Sequence, residues 1–339
     1  MTQDTLRMGL ADLLVDEGGT LFVLAAYPHP SDDWGGGHGT PEEPVECPDW
    51  RDPWDTEFWK DEVTCEPEEA GKEWKDVELA YDNLWVLVRS HGEWTKEALP
   101  YPCNLLRDVP GFGICAIGDE GVVVRTNGGS WTESEQLSPF VDIVSTGTSL
   151  LGANNEGYGR ILENGPTWQK THVEKFDNLC RTPSGIYLAG NGLSHLRNGS
   201  TREIMPASEK PGWVRVSKSP DEDGSAFAAA TSGRGWVLDE EGAREEDVTL
   251  PEGFHVNLTV ARFRGRNYAA TGQSMTRGKD GVYNTVDLPL PSVVDEQYSW
   301  SQCGYLSVRV SGDILWVLGK HHITYSRDGE QWERLDFAK

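Results

Sequence analysis

The sequence predicts an all-β fold, a seven-bladed β-propeller of four-stranded antiparallel blades, and three observations support it. Tryptophan recurs at a fixed interval, since Trp94, Trp131 and Trp168 lie 37 residues apart. Each of the three follows an apolar strand-like run and a polar turn that contains glycine. The 38 Gly and 19 Pro are spread along the chain, as in proteins of many short strands and tight turns. A period of this length is typical of propeller blades and short solenoid repeats.

Seven copies of this turn can be counted along the chain, and each is marked by a glycine. The seven are Gly92, Gly129, Gly165, Gly199, Gly242, Gly281 and Gly329. The last copy is the most complete, because Ser326, Asp328, Gly329 and Trp332 form the pattern Ser-x-Asp-Gly-x-x-Trp. The length of 339 residues is therefore explained by repetition within one domain, residues 1–339.

The last copy resembles the Asp box of sialidase-like and BNR-repeat propellers, a superfamily that includes Ycf48-like photosystem assembly factors. The resemblance covers about residues 76–339, and in other copies Asn164, Asn198 and His91 replace the Asp. The residues of the box have structural roles. Glycine supplies a positive φ, Asp or Asn bonds the amides of the turn, and Trp fills the gap between adjacent sheets. These roles are expected for Trp94, Trp131, Trp168, Trp332, Asp328 and Gly329.

Strand-like runs precede each turn, and small residues dominate their ends, as in residues 226–230. Ala and Gly are expected in inner strands, where backbones converge on the propeller axis. Further apolar segments precede these runs, for example residues 140–144, 214–216 and 306–310. With the strand that follows the turn, each blade then has four strands.

A segment of different composition, residues 28–74, interrupts the first blade. From Pro41 to Ala80 there are 15 acidic and 4 basic residues. Aromatic anchors amid charge are typical of binding hot spots, so we expect this acidic, Trp-rich insertion to bind a partner. The candidate binding residues are Trp34, Trp50, Trp54, Trp59, Asp52, Asp55 and Glu57.

The charge balance limits the partners. Fifty-five acidic and 30 basic residues give a formal charge of −25, which repels nucleic acids and anionic membrane surfaces. A basic protein is the expected partner, although such a charge also serves solubility. No apolar run is long enough to span a membrane, and residues 1–10 lack the pattern of a signal peptide. We expect a cytoplasmic protein, monomeric outside its complex; a removed signal peptide would instead place it in the periplasm or outside the cell.

Catalytic and metal-binding patterns are absent from the sequence. The arginine triad, the Tyr-Glu nucleophile pair and the N-terminal strand motif of sialidases cannot be assembled. The spacing of His29, His38, Cys47 and Cys65 matches no zinc site, and the acidic turn of residues 221–224 is a common solvated turn as well as a possible calcium ligand. We therefore expect neither an enzyme nor a cofactor or metal.

The expected function is that of a non-catalytic, protein-binding propeller. An acidic, immunity-type antagonist of a basic partner such as a toxin fits the charge best, because acidic surfaces steer association with basic targets. Two alternatives stay open. One is a carbohydrate-binding or glycoside-processing sialidase-like propeller, in which Trp stacks on sugars, and the other is an assembly or scaffold factor.

Overall fold

The computed structural model describes residues 9–26 and 84–335, except residues 119, 138–139, 148, 155–156, 162–166, 170–175, 207–208, 210–211, 252–257, 272–273, 290–306 and 320–321. These residues form seven antiparallel sheets of four strands each. The four strands of every sheet follow one another in the chain, so the predicted seven-bladed propeller is confirmed. None of the described residues forms a helix long and apolar enough to cross a membrane.

The strands are assigned to blades in chain order. Blade 1 is β1 (Gly9–Val15), β2 (Leu21–Ala26), β3 (Leu84–Ser90) and β4 (Glu93–Ala98); blade 2 is β5 (Leu105–Val109), β6 (Gly113–Gly118), β7 (Gly121–Arg125) and β8 (Trp131–Glu133). Blade 3 is β9 (Asp142–Ser145), β10 (Leu150–Asn154), β11 (Gly157–Ile161) and β12 (Thr167–Gln169); blade 4 is β13 (Phe176–Thr182), β14 (Gly185–Gly190), β15 (Leu193–Arg197) and β16 (Ser200–Met205). Blade 5 is β17 (Val214–Val216), β18 (Ala226–Ala230), β19 (Arg234–Leu238) and β20 (Ala243–Asp247); blade 6 is β21 (Thr259–Phe263), β22 (Arg266–Thr271), β23 (Ser274–Lys279) and β24 (Val282–Thr285). Blade 7 is β25 (Ser307–Ser311), β26 (Ile314–Leu318), β27 (Ile323–Ser326) and β28 (Glu333–Leu335).

The innermost strand of each blade is its first strand. The first strands β1, β5, β9, β13, β17, β21 and β25 contact one another in a closed ring. The Ala- and Gly-rich runs form the second strand of their blades, between the innermost strand and the third. In β18, all of residues 226–230 are buried. Their small side chains fit the narrow space between neighbouring sheets and leave the axis to the first strands.

Apolar packing is divided among the junctions between blades. The described residues form seven hydrophobic clusters, and each cluster joins two neighbouring blades. The cluster between blades 7 and 1, for example, packs Leu13 and Val23 against Trp316 and Leu318. Each blade is therefore stabilised mainly by its neighbours, and the ring must be closed for the first and last blades to bury their faces.

The turn glycines have the backbone conformation that the repeat predicts. Six of the seven are described, and their φ angles lie between +77° and +130°. They are Gly92, Gly129, Gly199, Gly242, Gly281 and Gly329. Any side chain would strain the backbone in this region, so glycine is required at the turn between the third and fourth strands.

The innermost strands are joined by one recurring hydrogen bond. An acceptor side chain in one blade accepts the backbone N–H of the innermost strand of the next. The pairs are Asp12 with Leu106 N at 2.8 Å, Asp142 with Leu179 N at 2.6 Å, Asn178 with Val216 N at 2.7 Å and Thr259 with Val308 N at 3.0 Å. Since an innermost edge has no strand partner, these side chains satisfy amides that would otherwise be buried without an acceptor.

Closure of the ring depends on side chains, because blades 1 and 7 share no strand. Asp12 is fully buried, and its Oδ2 accepts 2.8 Å hydrogen bonds from the Leu106 amide of blade 2 and from Arg309 Nη1 of blade 7. Its Oδ1 accepts a 2.8 Å bond from Lys218 Nζ, which follows the innermost strand of blade 5. The amide of Val15 donates to Ser311 Oγ at 2.8 Å. One carboxylate thus connects four of the seven blades.

A second buried ion pair supports the same axis. Arg107 of blade 2 donates from Nε and Nη2 to the two oxygens of Asp142 in blade 3, both at 2.7 Å. Its remaining nitrogen, Nη1, donates to the carbonyl of Lys218 at 2.5 Å, and Nη2 also reaches the carbonyl of Leu179 at 3.0 Å. A bidentate guanidinium fixes both the distance and the orientation of the blades that it joins.

The charges at the axis shift the pKa of Asp12. Burial alone would raise it, but Arg309, Lys218 and the Leu106 amide together outweigh burial and lower the pKa from its usual 3.8 to about 2. Burial also lowers the pKa values of Lys218 and Arg309, which the charge of Asp12 partly restores. The carboxylate is therefore ionised at every physiological pH and is needed to keep two buried cations charged.

Asp12→Asn is expected to lower the free energy of unfolding by about 3–5 kcal/mol, because it leaves the buried Arg309 and the partly buried Lys218 without their counter-charge. Urea unfolding followed by tryptophan fluorescence measures the loss. Glu209→Gln is the matched control, since it breaks an ion pair with Arg234 in which Glu209 is 51% exposed. The control should cost under ~1 kcal/mol. Equal losses in the two variants would contradict the role of Asp12 in closure.

The acid stability of the fold should depend on the same carboxylate. Because the pKa of Asp12 is lower in the folded state, its ionisation stabilises the fold above pH 4, and that stabilisation falls away between pH 4 and about 2. The contribution is roughly 2 kcal/mol. Urea unfolding at a series of pH values should show the wild type approaching Asp12→Asn as the pH falls below 4. Parallel pH profiles for the two proteins would show that Asp12 does not carry this dependence.

Candidate functional site

The insertion lies outside the described residues. The described part of blade 1 stops after Ala26 and resumes at Leu84, and these two residues are paired neighbours on β2 and β3. The predicted binding residues Trp34, Trp50, Trp54, Trp59, Asp52, Asp55 and Glu57 all fall in this segment, so their role stays a prediction from the sequence.

The repeat residues lie at the junctions between blades. Trp131, 8% exposed, packs between blades 1 and 2 and donates from Nε1 to Glu97 Oε2 at 3.0 Å. Trp94 and Trp332 are half-buried against the clusters that join their blades to the preceding ones. The side chain of Trp168 is outside the described residues. Complete burial is therefore seen only for Trp131 among the three Trp side chains that are described.

The best copy of the box shows how its turn is held. Asp328 Oδ1 accepts the amides of Glu330 and Gln331, both at 2.8 Å, and Gly329 N donates to Ser326 Oγ at 2.8 Å. These amide bonds lower the pKa of Asp328. The carboxylate and the hydroxyl are used by the turn itself, as a structural role requires.

The axis holds five charged groups that are unsuited to acid–base chemistry. Both oxygens of Asp12 and of Asp142 accept hydrogen bonds from buried donors. A carboxylate with each oxygen engaged is not free to accept a proton from a substrate or to bind a metal. Arg107 and Asp142 were not singled out from the sequence. The available signal was a charged residue inside an apolar strand, which is rarely buried unless it is paired.

The acidic turn of residues 221–224 connects blade 5 to blade 6 through hydrogen bonds. Asp221 is buried, and its carboxylate accepts the amides of Arg264 at 2.8 Å and Gly265 at 2.7 Å in the neighbouring blade. Asp223 accepts the amide of Ser225 at 2.8 Å. Among the described residues, no group of three or more His, Cys, Asp or Glu side chains is arranged to hold a metal ion.

A strongly acidic surface lies on the outer edge of blades 5 and 6. We call it the acidic rim, and define it as residues 239–247 and 280–287. It contains eight acidic residues and one basic residue, Arg244. It includes β20 and β24, the outermost strands of the two blades. Glu240, Glu241, Glu245 and Asp247 are exposed.

Two contacts hold the halves of the acidic rim together. On the surface, Arg244 Nη1 lies 3.4 Å from Asp280 Oδ1, with side chains 55% and 61% exposed. Beneath it, Glu246 Oε1 accepts 2.5 Å hydrogen bonds from the Tyr283 hydroxyl and from Asn267 Nδ2. The edges of blades 5 and 6 therefore form one continuous surface.

Glu246 leaves part of its charge uncompensated. It is 9% exposed, and no donor among the described residues reaches its Oε2. Burial and the bond to Glu246 both raise the pKa of Tyr283, so the phenol remains a neutral donor. A buried carboxylate bonded only by neutral groups adds to the negative field of the acidic rim.

No family model matches the sequence, and no curated protein matches it. Solved structures with a similar fold include Ycf48 bound to D1 peptide, at 16% identity and a TM-score of 0.41, with 70% of this chain and 87% of that chain covered. The extracellular domain of a putative hybrid two-component system from B. thetaiotaomicron matches at 9% identity and a TM-score of 0.36, with 98% of this chain and 52% of that chain covered. The same domain, described as a putative one-component system, gives a TM-score of 0.33 at 9% identity, with 96% and 52% covered. The chain spans about half the length of these two bacterial chains. At such values the likenesses say nothing about function.

Tyr283→Phe should destabilise the fold by about 1.5–3 kcal/mol, because it removes a donor from a buried carboxylate. Tyr325→Phe is the control, since its hydroxyl donates at 2.7 Å to Glu333, which is exposed. The control should cost under ~1 kcal/mol. Urea unfolding of both variants tests the difference, and a control that costs as much as Tyr283→Phe would count against a buried Glu246 network.

Proposed function

We propose that the protein is a non-catalytic binding propeller whose acidic rim captures a basic surface of a protein partner. The observation that carries this proposal is the composition of the rim, eight acidic residues against one basic, on β20 and in the segments beside β20 and β24. Such a surface raises the local concentration of a basic protein and accelerates its encounter. The net charge of −25 acts in the same direction at long range.

The hydrogen bonds of the carboxylates at the axis support a non-catalytic role. The innermost strands of a propeller surround its axis, and here the described carboxylates at the axis bond the backbone amides and cations of neighbouring blades. They join the blades to one another, which is a structural role.

A partner that is itself an enzyme would be inhibited on capture if the acidic rim covers its basic substrate-binding surface. A toxin that acts on nucleic acid is a partner of this kind, since its active surface must be basic. We propose antagonism of such a toxin as the specific role.

The test is capture of partners from a native lysate at low and high salt, followed by affinity measurement with variants. In the rim variant, Glu240, Glu241 and Asp247 become Gln, Gln and Asn. In the control, Glu17, Glu133 and Glu135 become Gln, which removes the same charge from exposed positions elsewhere. We expect the identified partner to be basic, to bind the control as it binds the wild type, and to bind the rim variant at least ~10-fold more weakly, an effect of about 1.4 kcal/mol.

Most of that loss should be in the association rate, because peripheral charges act on the encounter. Raising the salt from 50 to 500 mM should weaken the wild type more than the rim variant. A partner that binds the rim variant and the control equally would contradict the proposal.

A further inference from the structure

Strand β24, Val282–Thr285, differs in composition from five of the other six outermost strands. The outermost strands β4, β8, β16, β20 and β28 each contain at least one charged residue, whereas β24 contains none. β12 is also uncharged, but its side chains are outside the described residues. Charged residues on edge strands discourage pairing with other chains. β24 lacks this protection.

Val282 is exposed on this strand. Its side chain is 69% exposed, the one large apolar side chain with this property among the described residues. Asn284 and Thr285 are exposed as well. A β-branched residue on an open edge gives a partner strand an apolar side chain to pack against.

The backbone of β24 has peptide groups available for pairing. The amide of Val286 donates to the carbonyl of Met275 at 2.9 Å, so residue 286 faces the sheet. Hydrogen-bonding groups alternate along an antiparallel strand, and the peptide groups of Tyr283 and Thr285 therefore point away from β23. No backbone hydrogen bond joins their amides to another residue in the described part of the chain.

The charged groups around β24 determine which charges an added strand would have to carry. The side chain of Tyr283 reaches Glu246 of blade 5, so this face of β24 turns towards blade 5 and the face of Val282 turns the other way. On the blade 5 side, Glu246 Oε2 lacks a donor. Asp280 and Asp287 lie two residues before and two residues after the strand, and both are exposed. On the other face, the exposed Lys279 of β23 pairs with Val282.

We propose that the edge of β24 binds an extended segment of the basic partner as a fifth strand of blade 6. In the partner's segment, the side chains on the face towards blade 5 are Lys or Arg. The alternate side chains, on the same face as Val282, are β-branched. Backbone hydrogen bonds to residues 283 and 285 provide affinity, and the alternating side chains provide selectivity. This inference rests on the proposed function and specifies how the acidic rim is used.

The probe is a synthetic peptide with acetylated and amidated ends, Val-Lys-Val-Lys-Val-Lys-Val, whose binding is measured by calorimetry. Two further peptides separate backbone pairing from charge. One carries N-methyl groups on alternate residues, which blocks strand pairing and keeps the charge. The other replaces Lys with Glu. We expect binding of the first peptide, at least ~10-fold weaker binding of the methylated peptide, and no binding of the Glu peptide.

Three variants locate the site. Thr285→Pro removes an outward-facing N–H without touching the bonds to β23, and should weaken binding at least ~10-fold. Val282→Ser should weaken it about threefold by removing the apolar contact. Asn284→Ser, which keeps both outward peptide groups, is the control and should bind like the wild type. Melting temperatures of the variants show whether each is folded, and Val282→Ser still tests the site if Thr285→Pro is unstable.

The outcomes separate the inference from the proposed function. If the first two peptides bind equally and Thr285→Pro and Val282→Ser have no effect, while the rim variant loses binding, edge pairing is overturned and capture by charge stands. If the β24 variants lose binding but the rim variant binds like the wild type, edge pairing stands and capture by charge fails. Absence of peptide binding, or a dimer in sedimentation that Thr285→Pro abolishes without any peptide binding, overturns the inference in favour of a free edge or of self-association.

Discussion

The closed ring depends on the buried ion pair between Asp12 and Arg309. Every blade is built from consecutive strands, so no strand ladder joins blade 7 to blade 1, and the junction is held by apolar packing and side-chain bonds. Asp12 and Arg309, 297 positions apart in the chain, supply the buried polar part of that junction. A buried ion pair contributes little net free energy compared with an apolar pair, but it penalises any arrangement in which one partner is missing. The pair therefore favours the ring that brings the two residues together.

Charges of opposite sign are separated in this molecule. The axis has three cations, Arg107, Lys218 and Arg309, with two carboxylates, Asp12 and Asp142, in a chain whose net charge is −25. Buried cations offset part of the repulsion among the surface carboxylates. They also form ion pairs with the carboxylates that they contact. Most of the other acidic residues in the described part of the chain lie on the surface. The result is a centre with one more cation than carboxylates and an acidic edge.

Local features of the fold could be predicted from the sequence, and features of the axis could not. The turn glycines and Trp131 act within a hairpin or at its nearest neighbour, so their spacing reports their role directly. The Ala-rich run of residues 226–230 indicates close packing in an inner strand, but the sequence does not show which neighbouring sheet it packs against. Arg107 and Asp142 have no common motif, because their pairing arises from blade order, 35 positions apart. The acidic residues of β20 are visible in the sequence, whereas their contact with β24 is not.

The outer edge of blades 5 and 6 has the combination that an interface needs and that a merely soluble surface does not. Solubility is served by charge of any arrangement, and the other outermost strands with described side chains combine charge with edge protection. At β24 the strand itself has no charged residue and Val282 is exposed. The acidic residues lie beyond the ends of the strand and on the neighbouring blade. An open edge of this kind promotes association with any extended chain. The carboxylates beyond both ends of the strand and on blade 5 repel acidic chains, copies of this acidic protein included, and admit basic ones, so the same residues that attract a partner also provide selectivity.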